Sequence, residues 1–149
     1  MTLRITSMSR NCLEPTIEVA VRAFGEETRA DAVDDFEYSL TELKYRAHTL
    51  VALDSDVVVG AVQVVWGYLM PDTYTLAWLC VDPPRQKNGV GTLLMENAIS
   101  YTSQRLLSGR VGTIYLSALF RHEFYERFGF TRGPKNHHGA PVMLMVVND

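Results

Sequence analysis

Two hydrophobic periods take turns along this chain of 149 residues. Leu3-Arg4-Ile5-Thr6 alternates and predicts a short first strand. From Thr16 to Phe24 the apolar residues Ile17, Ala20, Val21 and Phe24 recur at i, i+3, i+4 and i+7, which makes one face of a helix opened by Pro15 and closed by Gly25. A second helix is predicted over Ala32 to Ala47, with Phe36, Leu40 and Leu43 inward. Thr49 to Leu53 and Val57 to Leu69 then read as the strands of an antiparallel hairpin around the turn residues Asp54-Ser55-Asp56. Gly60 inside the second strand marks a bulge or a close backbone approach. Pro71-Asp72 turns the chain into a central apolar strand, Tyr74 to Val81.

The helical period returns from Thr92 to Leu107, with Leu93, Leu94, Ala98 and Tyr101 on the inner face and Ser108-Gly109 as the stop. Thr113 to Ser117 is a fifth strand, and Arg121 to Phe128 a short helix. Phe130 to Arg132 and Pro141 to Val147 complete the strands, with a loop from Gly133 to Gly139 between them. The element order is β-α-α-β-β-β-α-β-α-β-β. No linker, repeat or low-complexity stretch interrupts it, so one domain over residues 1–149 is expected.

The chemistry concentrates where the central strand gives way to the long helix. Val81-Asp82-Pro83-Pro84-Arg85-Gln86-Lys87-Asn88-Gly89-Val90-Gly91 joins them. A strand that ends in a glycine loop and restarts as a helix presents unpaired backbone N–H groups, and the helix dipole favours an anion at the same place. Gly89 and Gly91 let backbone approach a phosphate without a Cβ in the way and are free to take positive φ, while Arg85 and Lys87 add charge. The spacing is neither G-x-x-x-x-G-K-[ST] nor G-x-G-x-x-G, which argues against a nucleoside triphosphatase and a dinucleotide fold. Downstream, Glu123-Phe124-Tyr125-Glu126-Arg127-Phe128-Gly129-Phe130 puts Phe124 and Phe128 on one helix face, with Gly129 as a C-cap. Tyr125 by itself suits a core aromatic as well as a functional phenol.

Gln86-x-x-Gly89-x-Gly91 resembles the [Gln/Arg]-x-x-Gly-x-[Gly/Ala] pyrophosphate loop of the GNAT acetyltransferase superfamily, and Phe124-Tyr125-Glu126-x-x-Gly129-Phe130 resembles the signature that closes its cofactor site. The two motifs stand in the family's order. The element order is also the family's, although the likeness is sharp only from Leu76 to Phe130. The resemblance implies an α/β fold, the GNAT (acyl-CoA N-acyltransferase) fold, with a mixed central sheet of about six or seven strands flanked by helices. It implies acetyl transfer from acetyl-CoA to an amine acceptor. Backbone around Leu79, Cys80 and Val81 would meet the thioester and pantetheine, backbone from Gln86, Lys87, Asn88, Gly89, Val90 and Gly91 to Thr92 would hold the pyrophosphate, and Tyr125 would be the general acid for the departing thiolate. No metal is implied. Dimers are common in the family, so a homodimer is compatible with the resemblance.

Two departures from the family pattern stand out. Many members carry an Asn seven residues before the tyrosine, where this chain has Ala118, and many carry a Glu on the central strand, where this chain reads Tyr74-Thr75-Leu76-Ala77-Trp78. The general base is therefore open among Asp72, His122, Glu123, Glu26 and the His137-His138 pair, or a water chain. The same departures leave a second reading, a non-catalytic acyl-CoA-binding or regulatory domain on this scaffold. Trp66, Tyr68 and Trp78 are expected in the core or along an acceptor pocket.

Charge refines the partners. The net charge of −3 and the lack of a Lys/Arg block give nucleic acid no electrostatic footing. From Glu26 to Glu42 seven acids face one base, whereas from Arg85 to Lys135 eight bases face three acids. A basic second half suits an anionic cofactor. An acidic first half suits a cationic acceptor, a small molecule or a protein amino group, or is simply a solvated helix face. Met1 to Asn11 lacks the apolar core of a signal peptide, and Val57 to Met70 is too short and interrupted to span a membrane. With two cysteines, Cys12 and Cys80, no disulfide framework is visible, and a cytoplasmic location is expected.

Overall fold

The computed structural model describes residues 2–41, 46–67, 72–106 and 108–149. In chain order the strands are β1 (Leu3–Ser7), β2 (Ala47–Asp54), β3 (Val57–Trp66), β4 (Thr73–Val81), β5 (Val111–Ser117), β6 (Thr131–Lys135) and β7 (Pro141–Asn148), and the helices are α1 (Leu13–Phe24), α2 (Arg29–Tyr38), α3 (Val90–Arg105) and α4 (His122–Glu126). They follow one another in the expected order. The strands make a single seven-stranded sheet, spatial order β1-β2-β3-β4-β5-β7-β6. Every neighbouring pair is antiparallel except β4 and β5, which the crossover through α3 makes parallel.

Each face of the sheet carries its own core. On one, Ile17, Ala20 and Val21 of α1 and Ala32 and Phe36 of α2 pack on Val51, Ala61 and Cys80. Pro15 lies in the first turn of α1, where a missing N–H costs no intrahelical bond. On the other face Val90, Leu94, Met95 and Ala98 of α3 pack on Leu50, Val62, Val64, Leu76, Ile114 and Met143. Gly60 seats this helix. A Cβ there would lie 2.9 Å from the Cys80 carbonyl oxygen, 3.0 Å from Leu94 Cδ1 and 3.1 Å from Val90 Cγ1. The β2–β3 register also slips beside it, between Ala52 and Leu53, so the glycine serves both close approach and a bulge.

Several boundaries differ from the sequence reading. The second helix ends at Tyr38, not Ala47. The Ser39 and Thr41 hydroxyls bond back to the carbonyls of Phe36 and Tyr38, which competes with helix continuation, and Ala47 already pairs in β2. Leu43, Tyr68, Leu69 and Leu107 lie outside the described residues. The third helix begins at Val90 rather than Thr92, because Gly89 takes a left-handed cap at φ 82°. The last helix shrinks to His122–Glu126, and β6 runs on to Lys135, which reduces the connecting loop to residues 136–140. No described helix is long and apolar enough to cross a membrane.

Candidate active site

The site grows out of an irregularity in β4. On its β3 side Gln63 opposes Ala77 and Ala61 opposes Cys80, so two residues, Trp78 and Leu79, face Val62 alone. That is a β-bulge, and Trp78 occupies it at φ 56°. The extra residue inverts the strand's parity. Tyr74 and Leu76 pack in the α3 core, and beyond the bulge Leu79 and Val81 do so, while Trp78 and Cys80 turn to the α1–α2 core. On its other side β4 pairs with β5 at three positions only, Thr73 with Thr113, Tyr74 with Ile114 and Thr75 with Tyr115. From Leu76 to Val81 the main chain therefore lacks a strand partner toward β5. Such an edge hydrogen-bonds an extended ligand as it would another strand.

The free edge runs directly into the phosphate-type loop. After Asp82 a 3-10 turn, Pro83–Arg85, leads to Gln86 and then to two left-handed residues, Lys87 (φ 65°) and Gly89 (φ 82°). A Cβ built on Gly89 would meet nothing within 4 Å, so the loop is open on that side. The first-turn amides of Val90, Gly91 and Thr92 have no intrahelical acceptor. Val90 is buried in the core and offers only its backbone. Side chains brace the loop from behind: Gln86 Nε2 donates to the Val81 carbonyl at 3.1 Å, Asn88 Nδ2 donates to the Arg85 carbonyl at 3.4 Å, and Arg22 of α1 pairs with Asp82 at 2.7 Å.

Two expectations change here. Arg85 is not an uncommitted phosphate cation, because its guanidinium is paired with Asp54 at the end of β2; that hydrogen bond holds the Asp54 carboxyl below the usual carboxylate range. Lys87 remains exposed. Gly91 is helical and makes no use of positive φ. Helix α4 lies directly against it, and a Cβ there would make only ordinary van der Waals contact, 3.5 Å from Phe124 Cζ and 3.7 Å from Val81 Cγ2.

Helix α4 thus forms a wall of the same site. Phe124 meets Phe128 and Tyr125 edge-on, at 5.2 and 5.1 Å between centroids, and Tyr125 meets Phe130 at 6.2 Å. Burial pushes the Tyr125 phenol above its ordinary range, and the Arg121 charge draws it part of the way back. Its hydroxyl makes no hydrogen bond among the described residues. Arg127 lies over the Phe124 ring at 5.4 Å, which puts a guanidinium against the ring that touches Gly91. Sequence reasoning passed over this arginine, although its i+3 spacing from Phe124 placed it on the same helix face.

The base candidates separate clearly. His122 Nε2 donates to the Ala118 carbonyl at 2.7 Å. Because a carbonyl only accepts, Nδ1 is the basic nitrogen of the neutral ring. Asp72 is paired with Arg110 at 2.5 Å, at the end of β4 away from the loop. Glu26 is bonded to Arg29, which keeps it ionised below the usual range, and Glu123 lies 3.8 Å from Arg132 on the surface. The His137 and His138 rings lie 3.8 Å apart between centroids, tilted by 45°, in the β6–β7 loop, which Asn136 ties to Ser117 at the end of β5 (2.9 Å). Among the described residues no three His, Cys, Asp or Glu side chains converge as metal ligands. Burial pushes the Cys80 thiol up to about 12, so it is a packed apolar group and no nucleophile near neutral pH. Trp66 is partly exposed beneath Arg105, whereas Trp78 is packed between Phe24 and Phe36.

Residues 45–132 match the family model described as the acetyltransferase (GNAT) domain. No curated protein matches the sequence. Among solved structures, a GNAT-family acetyltransferase from Staphylococcus aureus Mu50 superposes with a TM-score of 0.79 at 17% identity over 99% of this chain and 100% of that one. The PaiA N-acetyltransferase of Thermoplasma acidophilum, in complex with coenzyme A, gives 0.76 at 17% over 97% and 98%. An aminoglycoside 6′-N-acetyltransferase complexed with coenzyme A gives 0.75 at 21% over 96% and 95%. At these identities the structural likeness is one of fold.

Proposed function

The chain belongs to the GNAT acetyltransferase family, and on that premise we propose that it moves the acetyl group of acetyl-CoA to an amine acceptor by direct attack in a ternary complex. The observation that carries this reading is the opening between β4 and β5 after Thr75, which leads straight into the donor-rich start of α3. The unpaired edge at Leu79, Cys80 and Val81 suits a pantetheine arm carrying amides of its own. The main chain from Gln86 through Lys87, Asn88, Gly89, Val90 and Gly91 to Thr92 suits a pyrophosphate, with Lys87 and Arg127 as the cations at hand.

An amine of pKa about 10 arrives protonated and must lose a proton before it attacks. No carboxylate lies on β4 beside the opening, so the proton is left to water, to Nδ1 of His122 or to the His137-His138 pair, whose loop Asn136 ties to the end of β5. Charge that builds on the thioester oxygen needs an N–H donor, and the β4 edge supplies amides there. The departing thiolate needs a proton. Tyr125 keeps one at neutral pH as any tyrosine phenol does, burial raises its pKa further, and its hydroxyl has no competing partner among the described residues. A cationic acceptor would draw on the acidic first half of the chain, part of which is already engaged. Of the seven acids between Glu26 and Glu42, Glu26 and Glu37 are in ion pairs and Asp35 is hydrogen-bonded to an indole.

Calorimetry with CoA and acetyl-CoA, followed by thiol release with a panel of primary amines, tests the reading. Heat with both ligands and turnover with at least one amine are expected. Absence of heat with either ligand overturns it, and tight binding without release from any amine converts it to the non-catalytic alternative.

A further inference from the structure

Trp78 sits in the left-handed region at φ 56°. For a bulky L-residue that conformation is strained and persists only where the surroundings enforce it. Glycine would take the position without strain, yet the chain places its largest side chain there. The indole is wedged against Phe36 (5.4 Å between centroids) and Phe24 (5.9 Å), and its Nε1–H donates to Asp35 Oδ2 of α2 at 2.8 Å.

Asp35 holds the other strand as well. Its main-chain carbonyl accepts from Gln63 Nε2 at 2.8 Å, and Gln63 is the β3 residue that borders the bulge. Gln63 is buried, and its amide continues into a polar chain: Nε2 to Thr49 Oγ1 at 3.3 Å, Thr49 Oγ1 to Ser39 Oγ at 2.9 Å, and Ser39 Oγ to the Phe36 carbonyl at 2.7 Å. One residue of α2 is thus bonded to both strands of the bulge, and the buried chain anchors the same turn of α2 to β2. Ala32 and Phe36 are the buried residues of this helix, and ion pairs of Arg29 with Glu18 and Glu26 and of Glu37 with Arg10 tie it at the surface.

We propose that Asp35 and Trp78 are positioning residues that clamp the β4 bulge from α2 and so aim the Leu79–Val81 main chain into the opening beside β5. The clamp deepens the acetyl-transfer reading and rests on it for its effect on rate. Displacing a donor by about 1 Å lowers a rate by up to about a hundredfold.

The test uses Trp78→Phe, which keeps an aromatic ring and loses the N–H; Asp35→Ala, which loses the acceptor; and Asp35→Asn, which keeps an acceptor oxygen and loses the charge. For Trp78→Phe and Asp35→Ala kcat falls about tenfold, KM for acetyl-CoA stays within about twofold, and the double variant is no worse than either single one. Asp35→Asn stays close to wild type in kcat. In 15N spectra of the free protein the Leu79 and Cys80 amide resonances shift in Trp78→Phe and Asp35→Ala but not in Asp35→Asn. Unmoved Leu79 and Cys80 amides in Trp78→Phe and Asp35→Ala overturn the clamp, as does a kcat within twofold of wild type in both. Loss in Asp35→Asn equal to that in Asp35→Ala also overturns it, because it assigns Asp35 a charge-dependent role. A wild-type protein that binds acetyl-CoA and acetylates no amine refutes the acetyl-transfer reading instead, and the amide resonances then judge the clamp alone.

Discussion

The two edges of β4 behave differently. Toward β3 the strand is paired from Tyr74 to Val81 and departs from regularity once, at Trp78 and Leu79. Toward β5 it is paired at Thr73, Tyr74 and Thr75 and then left open. The first edge is scaffold. The second is an unfinished ladder, and the proposed cofactor site rests on its unpaired donors and acceptors. The bulge connects them, because an extra residue on one side increases the twist that carries the strand away from its neighbour on the other. On the proposed reading one sheet strand is structural along one edge and ligand-binding along the other, with its irregular residue held between them.

Substitutions at the ends of the open edge test the contrast most strongly. Tyr125→Phe is expected to lower kcat by about a hundredfold, the usual range for losing a general acid, with acetyl-CoA affinity within about twofold of wild type. A tyrosine phenol keeps its proton through neutral pH, and because burial raises its pKa any alkaline limb due to Tyr125 lies above the ordinary tyrosine value of about 10. An unchanged kcat in the steady state removes Tyr125 from the acid role. Gly89→Val is next. It forces a β-branched residue to φ 82° and fills the open side of the loop, so calorimetry should show acetyl-CoA affinity reduced at least about tenfold. Retained affinity means that the loop is not the phosphate site. The smallest effect separates the loop's two cations. Lys87→Ala should weaken CoA about threefold at low salt and less at high salt, as expected of an exposed charge. Arg85→Ala should show no such salt dependence, since its partner is Asp54 rather than the ligand.

The parts of this site that were legible in the sequence are those that need particular residues at fixed spacing. The Gln86-Gly89-Gly91 loop and the Tyr125 helix were readable because a left-handed cap favours glycine, which the structure uses at Gly89, and because Phe124 and Phe128 recur on one helix face. The bulge was not readable. Glycine would have announced it, and the chain instead places Trp78 there and holds it through Phe36 and Asp35, residues more than forty positions away. The commitment of Arg85 was hidden for the same reason, since Asp54 lies on a different strand pair. The end of α2 was misjudged because Ser39 and Thr41 satisfy backbone carbonyls locally, a competition that hydrophobic periodicity does not register.

Gly60 determines how low the long helix rides. A single methyl group there would strike the main chain of β4 on one side and Val90 and Leu94 on the other, and the helix would have to lift away from the sheet. Since Val90 opens that helix, the whole fan of amides at its tip would rise with it. The depth at which an anion can settle over the sheet is thus decided three strands into the fold, by a carbon atom the chain leaves out.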